Sequence, residues 1–146
     1  MEALKIVKVP DPILRTVCDK TASIEEIAEL GKAMLFTMNG HIGGIGLAAP
    51  QVGSTLNMFV MHMEGVDEIC YQPKILWKSD KKSKMLEGCL SLPSHITKSI
   101  SRPSRIKVSY INKKGETVER SLSHIEAKCY QHELDHLRGV LITDYR

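Results

Sequence analysis

The sequence predicts an α+β fold, with short antiparallel sheets around a central helix that carries His132-Glu133-Leu134-Asp135-His136. Three observations predict it. Ser123 to Gly139 reads as a helix with two non-polar stripes and punctuation at both ends. Ser23 to Asn39 reads as a second, amphipathic helix, expected on the outside. Between and after them lie short segments that alternate or run apolar and are bounded by turn residues, the pattern of strands.

A chain of 146 residues fits one domain with a real core. Its 42% hydrophobic and 25% charged residues are ordinary for a globular protein, and the formal charge is only +3. Lys78, Lys81, Lys82 and Lys84 make a local basic run, but no aromatics are interleaved. That run is expected to be a solvated loop, and no nucleic-acid partner is expected. Cys18, Cys70, Cys89 and Cys129 form no C-x-x-C pair, and no secretory leader precedes them. A reduced, cytoplasmic chain is expected. No apolar run is long enough to span a membrane.

In order along the chain, Met1 to Arg15 should be an extended arm and turn, because Pro10 and Pro12 forbid regular helix. Ser23 and Glu26 have the capping-box spacing, and Asn39-Gly40 ends the helix that follows. Ile27, Met34 and Met38 belong to its buried side, the methionines as core filler. Gly43-Gly44-Ile45-Gly46 then lets another object approach the backbone closely. A phosphate loop is ruled out by the missing G-K-[ST] and by Pro50, so the stretch reads as an edge for an extended ligand.

Met58 to Met63 and Ile69 to Trp77 should be strands, with Pro73 breaking or edging the second. Cys89 sits in an acid-Gly-Cys turn ahead of a strand that ends at Pro93. Ile106 to Ile111 and Thr117 to Leu122 form a hairpin leading directly into the central helix. Val140 to Arg146 leave room for one short strand.

The central helix carries the chemistry. Residues four apart share a face, so His132 and His136 aim at one point with Glu133 at its edge. Two imidazoles and a carboxylate suit a divalent ion whose bound water a base deprotonates. Ser123 and Glu126 supply capping-box spacing, and Gly139 suits a left-handed residue past the last turn. Ile125, Cys129, His132 and His136 form one stripe; Ala127, Tyr130, Leu134 and Leu137 form the other. Burying the two histidines and the glutamate unpartnered would cost roughly 2–7 kcal/mol per group, and a metal removes that cost.

The third ligand must come from upstream. Ile142 stands where a metzincin histidine would be, and none of the ten residues after His136 is glutamate. Candidates are Cys89, Glu87, His41, His62, His95 and the other cysteines. A thiolate is a strong ligand that a glycine turn can present, which favours Cys89; Cys129 faces along the stripe, not across it.

Three segments together resemble the signature motifs of peptide deformylases. They are Gly44-Ile45-Gly46-Leu47-Ala48-Ala49-Pro50-Gln51, Glu87-Gly88-Cys89-Leu90-Ser91-Leu92-Pro93 and Gln131-His132-Glu133-Leu134-Asp135-His136-Leu137. They fall in the family's order at about its spacing, and the resemblance runs from Val9 to Tyr145. It implies a deformylase-like fold and a hydrolase that removes the N-formyl group from N-formylmethionyl peptides of new proteins. It implies Cys89, His132 and His136 as metal ligands, Glu133 as acid and base, and Gln51 with the Leu90 N–H as oxyanion donors. Fe²⁺ is the metal most expected from the family, with Zn²⁺, Ni²⁺ or Co²⁺ also accepted.

A substrate pocket is expected at Ile45, Gly46, Leu86, Ile125 and Cys129, and Glu87 is expected to accept from a ligand histidine. Many bacterial members dock on the ribosome through a long basic C-terminal helix. This sequence stops at Arg146, which resembles phage-borne members and leaves proximity to the ribosome without a docking helix. A host-cell cytoplasm, bacterial or phage-infected, is the expected location. Tyr71-Gln72-Pro73 replaces the family's usual Asn-Pro, with little effect expected. Two rival readings are a zincin-like metallopeptidase and a non-catalytic binder of formylated N-termini. The intact Glu133 and Gln51 disfavour the second.

Overall fold

The computed structural model describes residues 1–146. Seven strands and two α-helices follow one another as α1 (Ile24–Asn39), β1 (Gly46–Ala48), β2 (Met58–Met63), β3 (Val66–Lys78), β4 (Lys82–Glu87), β5 (Lys98–Pro103), β6 (Arg105–Ile111), β7 (Thr117–Ser123) and α2 (His124–His136). Five strands pair antiparallel in the order β1-β2-β3-β6-β7, and β4 pairs with β5 separately.

Alternation along β2 explains how the layers assemble, because successive side chains leave a strand on opposite faces. Met58 and Val60 join Ile27, Met34 and Met38 of α1 in one core. Phe59, Met61 and Met63 join Ala127, Tyr130 and Leu134 of α2, and Leu137 just past its end, in the other. The large sheet is therefore covered by one helix on each face. Phe59 and Tyr130 meet edge to face, centroids 4.9 Å apart, which fixes α2 against the sheet.

The first helix begins as its sequence requires, with Ser23 Oγ accepting from the Glu26 N–H at 3.2 Å. The same signal fails at α2. Ser123 is still paired with Arg105 as the last residue of β7, so its side chain caps nothing. Glu126 instead accepts from the backbone N–H of Glu64. Gly139 does adopt the left-handed conformation, with φ +75°.

Four further expectations are corrected. The basic run is not wholly loop, because Lys82 and Lys84 lie in β4 with their side chains outward. No strand follows Cys89; the chain turns, and Leu92 N–H donates to Cys89 O at 3.0 Å. Pro73 does not end β3, which runs on through a register shift between Tyr71 and Lys74. The tail forms a 3-10 turn, Ile142–Asp144, because the Asp144 carboxylate accepts from Leu141 N–H and from Arg15.

The N-terminal arm is extended as expected, followed by a short 3-10 turn at Pro12–Arg15. Its Val7 N–H donates to Gln51 O at 2.7 Å and its Val9 N–H to Ser91 O at 3.0 Å. The arm thereby ties together the loops that hold Gln51 and Cys89.

Candidate metal centre

Cys89, His132 and His136 offer a sulfur and two ring nitrogens that all lie within 4.8 Å of one another. Cys89 Sγ is 3.4 Å from His136 Nε2. Two ligands at ordinary zinc–sulfur and zinc–nitrogen bond lengths, at a tetrahedral angle, stand about 3.5 Å apart. The spacing is that of a donor set around one ion. Beside them Glu133 Oε1 is buried without a hydrogen-bond partner, placed to take a hydrogen bond from whatever occupies that space.

The imidazoles are held differently. His132 Nδ1 stands 2.8 Å from Glu87 Oε1. Burial opposes the Glu87 charge, but His132 and Arg102 outweigh it and lower its pKa, so the carboxylate can only accept. Nδ1 therefore carries the proton, and Nε2 remains as the ligand atom. Burial also opposes charge on the His132 ring, yet hydrogen bonds to Cys89 and Glu87 raise its pKa to about 10 in the metal-free chain. Burial pushes His136 well below the usual value, so its ring is neutral.

Glu87 is itself anchored. Arg102 donates from Nε and Nη2 to its two oxygens at 2.7 and 3.0 Å, and from Nη1 to Asp135 at 2.9 Å. Both side chains of the Arg102–Glu87 pair are under 5% exposed. The ion pair links β5 and the end of β4 to α2.

Cys129 lies outside the donor cluster. Burial chiefly, and Glu133 nearby, raise its thiol pKa well above the usual value, so it stays protonated. Its Sγ–H points to Ile45 O at 3.6 Å. His41, His62 and His95 are not in the donor cluster, and His62 pairs with Asp67 instead.

Glu133 is buried, and that burial chiefly raises its pKa from 4.5 to about 7. Gly46 makes room for it. A Cβ there would lie 2.5 Å from Glu133 Oε2 and 2.7 Å from Cys129 Sγ. The glycine expected to allow close approach thus accommodates the protein's own carboxylate.

Gln51 is 2% exposed and fixed at both ends of its amide. Its Oε1 accepts from Ala48 N–H at 3.0 Å, and its Nε2 points to Ser91 Oγ and Cys89 Sγ at 3.2 and 3.4 Å. The turn after Cys89 leaves the Leu90 N–H with no acceptor in the protein.

A cleft of about 380 Å³ opens beside these groups and takes in Ile45, Gly46, Leu86, Cys129, Gln51 and Glu133. Ile125 is not among its lining residues and is 56% exposed. It stands a full turn nearer the helix start than Cys129. The lining includes Met85 and Lys128, which sequence reasoning missed. Leu86 was the one residue of β4 expected in the pocket, and no pattern marked Met85 beside it or Lys128 on the helix.

A sequence profile of the polypeptide deformylase family matches residues 3–146. The peptide deformylase of Bartonella tribocorum is 40% identical over 153 residues, covering 99% of this chain and 85% of that one. The solved structure of Thermotoga maritima peptide deformylase superposes with a TM-score of 0.93 at 39% identity, covering 99% and 98% of the two chains. A probable peptide deformylase from Synechococcus phage S-SSM7 gives 0.91 at 37%, covering 99% and 100%.

Proposed function

The chain belongs to the polypeptide deformylase family, and we propose that Cys89, His132 and His136 hold its metal while Glu133 carries the protons. The enzyme is a metal-dependent hydrolase that removes the formyl group from N-formylmethionyl nascent peptides and releases formate. The single observation that carries our residue assignment is the convergence of one thiol and two imidazoles beside an orphaned carboxylate oxygen.

When bound, a divalent ion supplies Lewis acidity that lowers the pKa of water and polarises a carbonyl. Glu133 takes the proton of the attacking water, and a carboxyl poised near neutrality suits that task. The same group then protonates the leaving amine as the C–N bond breaks. The Gln51 amide and the Leu90 N–H face the oxygen on which charge develops, each such donor being worth roughly 3–4 kcal/mol of barrier. Glu87 fixes the His132 ring and its tautomer.

Ile45, Gly46, Leu86 and Cys129 form the wall for the methionine side chain. The edge strand β1, free along one side, is placed to pair with an extended peptide. Fe²⁺ is our choice of metal, with Zn²⁺, Ni²⁺ or Co²⁺ as substitutes, because a thiolate with two imidazoles accepts each. The whole chain acts as one catalytic unit. We place the enzyme in the cytoplasm near the ribosome, where its substrates emerge; no helix is long and apolar enough to cross a membrane. Formate release from formyl-Met-Ala-Ser, without cleavage of internal peptide bonds, tests this reading against a metallopeptidase. Cleavage within an unformylated peptide would contradict it.

A further inference from the structure

Lys128 lies one helical turn before His132, so both project to the same side of α2. It is only 4% exposed, and it lines the cleft beside Met85, Leu86 and Cys129. Its ammonium donates to Ser83 O at 2.9 Å and has no ion-pair partner. An ammonium carries three donors, so two N–H groups find no acceptor in the protein. Lysines ordinarily carry their charge out to water. This one keeps it inside, against a single neutral carbonyl, in the wall of a substrate cleft.

Resting on the reading above, we propose that Lys128 makes the wall of the cleft beside Met85 and Leu86 a hydrogen-bond donor for an oxygen at the tip of the first side chain. The enzyme then deformylates peptides that begin with formyl-methionine sulfoxide as well as formyl-methionine. A thioether sulfur is a weak acceptor, whereas a sulfoxide oxygen is a strong one. The reaction is unchanged: water adds to the formyl carbon, the C–N bond breaks, the amine takes the proton, and formate leaves with the sulfoxide intact.

A purely structural Lys128, tethering α2 to β4 through Ser83, would alter turnover of every peptide alike. The test is kcat/KM for three peptides on the metal-loaded enzyme: formyl-Met-Ala-Ser, its norleucine analogue and its methionine sulfoxide analogue. Norleucine matches methionine in shape without an acceptor. Wild type is expected to process the sulfoxide peptide within about tenfold of the norleucine peptide, since a polar tip left unpaired would lose more than that. Lys128→Met is expected to lower the sulfoxide-to-norleucine ratio by about tenfold or more, and Lys128→Arg to keep it. A wild-type ratio below about a tenth, or a ratio that Lys128→Met leaves unchanged, overturns the proposal. Should Lys128→Met not fold, the wild-type ratio decides. Normal turnover of formyl-Met-Ala-Ser with an unshifted ratio would remove this inference alone. No formate from any of the three would remove the functional reading beneath it.

Discussion

Glu87 and His132 are joined at 2.8 Å, so a carboxylate at the end of β4 sets the ring of an imidazole on α2. The same carboxylate is clamped by Arg102, which also reaches Asp135 and Tyr145. A chain of buried polar contacts thus runs from the two-stranded sheet, through His132 of the donor cluster, and back to the motif helix.

Removing that carboxylate should have two separate effects. In Glu87→Ala, His132 loses its orienting acceptor, and metal affinity is expected to fall about 10–100-fold. Arg102 is left in the interior with less compensation, which should destabilise the protein by roughly 3–5 kcal/mol. Competition with a chelator reads the first effect and thermal or denaturant unfolding the second. Wild-type metal affinity in the variant would contradict the role given to Glu87.

Glu133→Gln should separate metal binding from turnover. Its metal content is expected to match wild type, while kcat falls about 10²–10⁴-fold, as the loss of a general acid and base requires. The variant also carries a pH signature in the metal-free protein. Burial raises the folded pKa of Glu133 from 4.5 to about 7. The folded state therefore holds the proton more tightly than the unfolded chain. That contribution is fully present below pH 4.5 and is lost as pH rises through 7. Glu133→Gln should accordingly gain stability relative to wild type across that window, on the order of 3 kcal/mol. Parallel pH profiles of unfolding free energy for the two proteins would contradict the assigned burial.

Gly46→Ala tests the close packing under the catalytic carboxylate. The added methyl would meet Glu133 Oε2 at 2.5 Å and Cys129 Sγ at 2.7 Å, so the carboxylate or β1 must shift. A cost of about 1–3 kcal/mol in stability is expected. Formate release should fall at least tenfold with metal content unchanged, since displacement of a base by an ångström costs on the order of 10²-fold. Full activity in the variant would show that Gly46 is merely tolerated there.

Much of this was legible in the sequence, for identifiable reasons. The i, i+4 spacing of His132 and His136 by itself places both rings on one face of a helix. An apolar run gave β2 its bounds, because both of its faces are covered, and alternation gave β6 and β7 theirs to within a residue, because each has one face in the core. β4 and β5 were missed because they pair only with each other, and Lys82, Lys84 and Leu86 of β4 all face outward. The capping box at Ser123 misled because strand pairing with Arg105 fixes that residue before the helix starts. Ile125 shares the stripe of His132 and His136 but stands one turn before Cys129, outside the cleft's lining. Lys128 could not be read at all, since nothing local tells a solvated helix lysine from one enclosed by a strand distant in sequence.

In this mechanism, turnover depends on one ion held by Cys89, His132 and His136. The most direct test is metal content and formate release measured on the same anaerobically purified sample, for wild type and Cys89→Ala. The expected result is about one equivalent of divalent metal per chain in wild type, activity that tracks occupancy, and loss of both in the variant. Wild-type activity in metal-free protein, or undiminished metal and turnover in Cys89→Ala, would contradict it.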